Sequence, residues 1–231
     1  NGANYGGDAG CAPVTLAGTV VQGLAAEDTV GMTLTRADER RAPAERTAVR
    51  CVDSDVHPVP RRGVLLEYIP EPWRSKYFMS HPVGEKIYYD APDYAHAYAM
   101  RVDTFPPDGE FAGSDPDMAF RQLIMEAGAD IAILEPLAAG ARLAEAAQAS
   151  AIATNRWQAE HWLDGRNNWH ERWRGSISVA IEDPVGAARE IDNWAGHPYM
   201  SQILIKAEHR PSWGNPKYDA IWAAATKHDI P

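Results

Sequence analysis

Cysteine is nearly absent: the 231 residues contain only Cys11 and Cys51. Two cysteines in unrelated contexts exclude a disulfide scaffold and a cysteine-rich zinc site, and both are expected to be reduced, as in a cytoplasmic protein. No stretch reaches the ~18 consecutive apolar residues of a membrane span. The N-terminus has neither the basic start nor the apolar region of a signal peptide. Positive charge is also scarce, with 22 Lys and Arg against 32 Asp and Glu and a net charge of −10. The densest basic run, Arg36 to Arg41, is interrupted by Ala37, Asp38 and Glu39. Nucleic acid is therefore excluded as a partner, because phosphate neutralisation needs a basic patch. No repeat of solenoid type is visible.

The sequence divides into an N-terminal extension over residues 1–49 and one domain over residues 50–231. The first 31 residues are rich in Gly and Ala with weak periodicity, which predicts a poorly packed segment. The more natural-looking stretch that opens at Met32 makes Met32 the expected start of the natural chain.

Ala48 to Asp55 has the short apolar core and polar finish of a buried strand. Residues 58–112 form a long excursion rich in Pro, Tyr and Asp, without a sustained period. Long loops inside a domain tend to be functional. Ser114-Asp115-Pro116 predicts a helix start, and Gly128 its end. An alternation follows. Strands are predicted over 130–134, 175–181 and 200–205, and helices over 141–163, 185–194 and 218–227. Strands alternating with helices of this length imply βαβ units and a parallel sheet, here about four of them.

In such folds the functional groups sit at the carboxyl ends of the strands. Those ends carry Asp55 and His57, Glu135, Glu182 and Asp183, then Lys206, Glu208 and His209. Asp183 precedes Pro184 and reads as a helix cap. Asp55-Val56-His57 is the sharpest signal. Side chains two apart on a strand point the same way, so the carboxylate and the imidazole converge as a ligand pair for zinc or a similar divalent ion. Asp-x-His alone is a weak pattern; its place at the end of a first strand, stopped by Pro58, gives it weight. Other histidines read differently. His161 and His170 lie among Trp157, Trp162, Trp169 and Trp173, at a spacing that suits packing. His81 and His96 fall in the excursion, where exposure is expected, and His197 marks a helix-to-strand turn.

Several segments, in order, carry a family resemblance: Val52-Asp53-Ser54-Asp55-Val56-His57-Pro58, Leu66 to Arg74, Gly113 to Pro116, Ala129 to Leu134, Arg174 to Ile177, Gly214 to Tyr218 and His228 to Pro231. Together they resemble the amidohydrolase-2 branch of the amidohydrolase superfamily, which holds metal-dependent hydrolases and decarboxylases related to aminocarboxymuconate-semialdehyde decarboxylase. The resemblance implies an α/β fold, the N-terminal part of a TIM-like (β/α)8 metal-dependent hydrolase barrel. It implies a divalent metal at the barrel mouth, zinc first and manganese or iron as alternatives, with Asp55 and His57 as the first-strand ligands. The family often has histidine in the place of Asp55. Its remaining ligands lie on the fifth, sixth and eighth strands, and the sequence reaches Ile230-Pro231 where the fifth is due.

The first expectation is thus a metal-dependent hydrolase acting on a small organic molecule. The alternative is a non-oxidative metal-dependent decarboxylase. A second alternative is a catalytically incomplete fragment that binds metal weakly. Arg74 or Lys206 would bind a substrate carboxylate, and no residue is assigned a catalytic role. Half a barrel exposes two sheet edges and an apolar face, which leaves room for a homo-oligomer.

Overall fold

Four short segments become four parallel strands. The first of them, Val52–Val56, is mostly exposed where the sequence suggests a buried strand, because it is an edge strand with Asp53, Ser54 and Asp55 in its middle. In the computed structural model, which describes residues 50–79, 101–137, 141, 143–205 and 211–231, β1 is Val52–Val56, β2 is Ile131–Leu134, β3 is Trp173–Ser178 and β4 is Met200–Leu204. They lie side by side in chain order in one sheet. Every neighbouring pair is parallel. Helices of the same chain make the returns, as parallel pairing requires. α1 is Val64–Tyr68, α2 is Pro116–Ala119, α3 is Ala144–Gln158, α4 is Pro184–Trp194 and α5 is Asp219–His228. α2 and α3 each run on into a wider, π-type segment, Phe120–Glu126 and Ala159–Leu163. No helix among the described residues is long and apolar enough to cross a membrane. The N-terminal extension, His81, His96, Lys206, Glu208 and His209 all lie outside the described residues.

The four strands and the helices after β2, β3 and β4 fall where the apolar periodicity puts them. Two details differ. The excursion is not featureless: it holds α1 and a second helical turn, Arg74–Phe78. Each is five residues long, too short to establish a period in sequence. The helix start at 114–116 is real, and Asp115 makes the cap, its Oδ1 accepting from Asp117 and Met118 N–H at 3.0 Å each. Asp183 likewise caps α4, accepting from Gly186 N–H at 2.9 Å.

Alternation along the strands sorts the two faces. Ala132 and Leu134 are fully buried, while Ile131, Ile133 and Glu135 between and beyond them are half-buried. The buried face packs on the helices. Its main cluster joins Ala132, Leu134, Trp173 and Ile177 of the strands with Leu65, Phe120, Trp157, Trp162 and Leu163. A second cluster, around Ile181, Ile191, Tyr218 and Ile221, seats α4 against α5. The tryptophans at 157, 162 and 173 are therefore core, as their spacing implies.

The two histidines among them serve packing as well. His170 stacks on Phe120 with ring centroids 3.9 Å apart, and His161 stacks on Trp157. Burial pushes both imidazoles below their ordinary value, His170 to about 4, with Arg172 adding to the effect on His170.

α3 also serves as a pairing partner. β2 ends at Leu134, opposite Gly175 of β3. Beyond that point two side-chain amides of α3 take over the β3 backbone. Gln158 donates to Ser176 C=O and accepts from Ser176 N–H. Asn155 does the same for Ser178, at 2.9 and 2.7 Å. Buried backbone groups left unpaired would each cost about 1–3 kcal/mol, so these amides let the strands diverge without penalty.

The depressed His170 sets a pH dependence. The unfolded chain takes up a proton near the ordinary histidine value, about 6.5, and the folded chain only near 4. Stability therefore falls as pH drops from about 6.5 towards 4, because the unfolded state binds more protons there. His170→Phe, which keeps the stack on Phe120, should flatten that part of a urea-unfolding series against pH.

Candidate metal centre

β1 and β2 are tied together at both ends. At the amino end, Asp130 accepts from Cys51 N–H at 2.8 Å through its carboxylate and donates its own N–H to Cys51 C=O at 2.7 Å. At the carboxyl end, Glu135 N–H donates to Val56 C=O at 2.7 Å. Pro136 follows, has no N–H, and ends the pairing. Glu135 and the last residues of β1 are thereby fixed side by side.

Asp55 and His57 point to the same side of β1, as the period of two demands. His57 Nε2 lies 3.1 Å from Asp55 Oδ1. His57 Nδ1 lies 3.0 Å from the backbone oxygen of Glu135. A carbonyl only accepts, so Nδ1 carries the proton and Nε2 holds the lone pair whenever the ring is neutral. Histidines that bind metals are oriented in this way, by a hydrogen bond from the other ring nitrogen. One ligand atom from each of Asp55, His57 and Glu135 lies within 4.8 Å of the others. Asp55 is exposed, and the other two are half-buried.

The donor set fits a divalent cation. Metal–ligand bonds of about 2.0–2.2 Å place neighbouring ligand atoms roughly 3–3.5 Å apart, and the Asp55–His57 separation falls in that range. Two carboxylates and one imidazole make an oxygen-rich set, which suits manganese or iron at least as well as zinc.

Two polar side chains that the sequence does not flag extend the cluster. Gln202 of β4 donates through Nε2 to Glu135 Oε1 and to Ser176 Oγ of β3, at 3.0 Å each. Ser176 is fully buried. Both are neutral residues inside strand segments, and nothing in composition marks them. The strand-end alternation that exposes Glu135 is the one signal that could find them.

The return of the excursion forms the wall beside His57. Val59 N–H donates to Gly113 C=O at 2.8 Å. Gly113 has φ 74°, and a Cβ there would sit 2.7 Å from the His57 backbone oxygen. Arg61 holds the same return through Asp108 at 2.6 Å, and Arg62 lies over the Phe111 ring. Between this wall and α2 is a cavity of about 300 Å3, whose lining includes His57, Val59, Arg101, Met118, Leu123 and Trp162. Its surface is mostly apolar, with His57 at one side and Arg101 at the rim.

Arg74 lies elsewhere, on the turn after α1, where its Nε donates to Glu71 Oε1 at 3.0 Å. Lys206 lies outside the described residues. Asp183 is engaged as a helix cap.

No family model matches the chain, and no curated protein matches it by sequence. Solved structures do match. A 5-carboxyvanillate decarboxylase from Novosphingobium aromaticivorans, complexed with manganese and 4-hydroxy-3-methoxy-5-nitrobenzoic acid, has a TM-score of 0.54 at 17% identity, over 80% of this chain and 49% of that one. A mutant 5-carboxyvanillate decarboxylase from the same organism, with bound manganese and 3-methoxy-4-hydroxy-5-nitrobenzoic acid, has a TM-score of 0.50 at 17% identity, over 80% and 50% of the two chains. At this identity the likeness is one of fold: the four βα units match part of a TIM-barrel fold found in metal-dependent decarboxylases. The chain spans about half the length of these structures.

Gly113 offers a test of the wall that needs no ligand. Gly113→Ala meets both a positive φ and the His57 carbonyl. It should cost about 1–3 kcal/mol of unfolding free energy, the range for a strained backbone residue. Gly109→Ala, with the same sign of φ but open space around it, should cost less. Denaturant midpoints compared side by side check this.

Proposed function

We propose that this chain carries the first-strand part of the active site of a metal-dependent decarboxylase of the amidohydrolase superfamily, acting on a small organic carboxylate. The observation that carries the reading is the convergence of Asp55, His57 and Glu135 at the carboxyl ends of the strands. The fold likeness to manganese-bound decarboxylases favours carboxy-lyase chemistry over the hydrolysis first expected from sequence. It also favours manganese over zinc. The match covers about half of each solved structure, so the activity is proposed for a complete barrel.

Asp55 and His57 would hold the ion, His57 through Nε2 because Nδ1 is committed to the Glu135 carbonyl. A bound divalent cation would supply positive charge beside the substrate carboxylate and offset negative charge that develops as the carbon–carbon bond breaks. The rest falls to the chain itself. The apolar cavity beside His57 would take the carbon skeleton and keep water from it. As carbon dioxide leaves, the bonding pair stays on the skeleton, and a low-polarity wall favours that spread of charge over a solvated carboxylate. For the substrate carboxylate the sequence offers Arg74, which is paired with Glu71, and Lys206; Arg101, at the cavity rim and paired with Asp103, is a third cation.

The protein supplied with manganese is expected to release carbon dioxide from a panel of aromatic and unsaturated carboxylic acids. Esters, lactones and amides should be left intact. Asp55→Ala and His57→Ala should each remove both the activity and stoichiometric metal. Ester or amide cleavage without carbon dioxide release would return the reading to a hydrolase; activity and metal content unaffected in both variants would sink the site.

A further inference from the structure

Glu135 is held at three points. Its N–H is fixed to Val56, its carbonyl to His57 Nδ1, and its Oε1 to Gln202 Nε2. The first two contacts belong to β1. The third comes from β4, two strands beyond β2 in the sheet. A sequence reading sees Glu135 as one strand-end charge among several. The geometry singles it out, because the residue that orients the His57 ring also brings its own carboxylate to within 4.8 Å of the Asp55 and His57 ligand atoms.

The Gln202 contact has a defined sense. An ionised carboxylate only accepts, so the amide edge facing it must be the NH2. That NH2 has two hydrogens and two acceptors at 3.0 Å, Glu135 Oε1 and Ser176 Oγ. Ser176 is fully buried on β3, so the amide is anchored to the sheet. A carboxylate with one oxygen pinned in this way has lost most of its rotational freedom. A carboxylate ordered in this way meets a cation at a smaller entropic cost, which is how outer-shell partners raise metal affinity.

We propose that Glu135 is a third donor to the metal from this chain, beside Asp55 and His57, and that Gln202 is its positioning residue, anchored by Ser176. The proposal rests on the metal centre proposed above and extends it from β1 to all four strands. The carboxyl end of β1 supplies Asp55 and, just after it, His57; Glu135 follows β2, Gln202 of β4 aims it, and Ser176 of β3 anchors the amide.

Manganese titrated into the full chain, with free Mn(II) followed by electron paramagnetic resonance, reads the affinity directly. Cobalt absorption spectra report the ligand field, and melting in EDTA reports the fold. Glu135→Gln is expected to weaken Mn(II) binding at least tenfold. Gln202→Leu should weaken it about ten- to hundredfold, as for other outer-shell losses. It should also alter the Co(II) bands while the EDTA melting temperature stays near that of the parent. A merely structural Gln202 would lower the melting temperature and leave the Co(II) bands of the folded fraction unchanged, and that result overturns the positioning role. Ser176→Ala, which removes only the anchor, should shift affinity and bands in the same direction by less; it gives the answer if Gln202→Leu fails to fold. Loss of binding in Asp55→Ala and His57→Ala, with Glu135→Gln and Gln202→Leu binding like the parent, would leave the centre standing and overturn this proposal alone. A parent chain that takes up no Mn(II) would overturn both.

Discussion

The pairing of β1 with β2 governs the rest of the structure. It is closed at one end by Asp130 and at the other by Glu135. Asp130 C=O also accepts from Arg172 Nη1 at 2.8 Å, which brings in the residue before β3. One acidic residue at each end of a four-residue strand therefore sets the register of its neighbour. The register shifts by one residue between Asp53 and Val56. Since a one-residue slip sends side chains to the other face, this shift, closed by the Glu135–Val56 bond, decides whether Asp55 and His57 lie beside Glu135 or away from it. The buried face enforces the same choice, because Ala132 and Leu134 belong to the main apolar cluster with Phe120, Trp157 and Trp162.

The cavity shows how the helical layer and the excursion cooperate with that sheet. α2 supplies one wall and is started by Asp115, whose carboxylate also approaches Arg61 at 3.7 Å. The excursion returns through Gly113 directly against the His57 carbonyl. Gly113, which touches the strand end, and Asp115, which starts the helix, both line the cavity, with one residue between them. The cavity owes its place beside His57 to this short stretch.

Much of the fold is legible in the sequence because parallel strands are short apolar runs that finish in charge. Ile131–Leu134 and Met200–Leu204 are found within a residue or two by that rule. The pair Asp55 and His57 follows from the period of two. The rest of the centre is not legible, for reasons that differ residue by residue. Glu135 carries the right signal, a charge after a buried strand, but its closeness to His57 depends on register across a crossover of some 75 residues. Gln202 is a neutral amide between Ser201 and Ile203 and gives no sign of a role. Arg74 has the right chemistry, yet it is engaged by Glu71 three residues earlier. The packing roles of His161 and His170 are legible because four tryptophans surround them.

The side-chain amides of α3 have a consequence for how this sheet can change. Elsewhere in a parallel sheet, the length of one strand dictates the length of its neighbour, since each must satisfy the other's backbone. Here Gln158 and Asn155 release β3 from that obligation beyond Gly175. β2 is free to end early and turn Glu135 towards β4, while β3 continues. A helix that borrows the hydrogen-bonding manner of a strand thereby separates two design problems: where the sheet ends, and where its reactive rim is set.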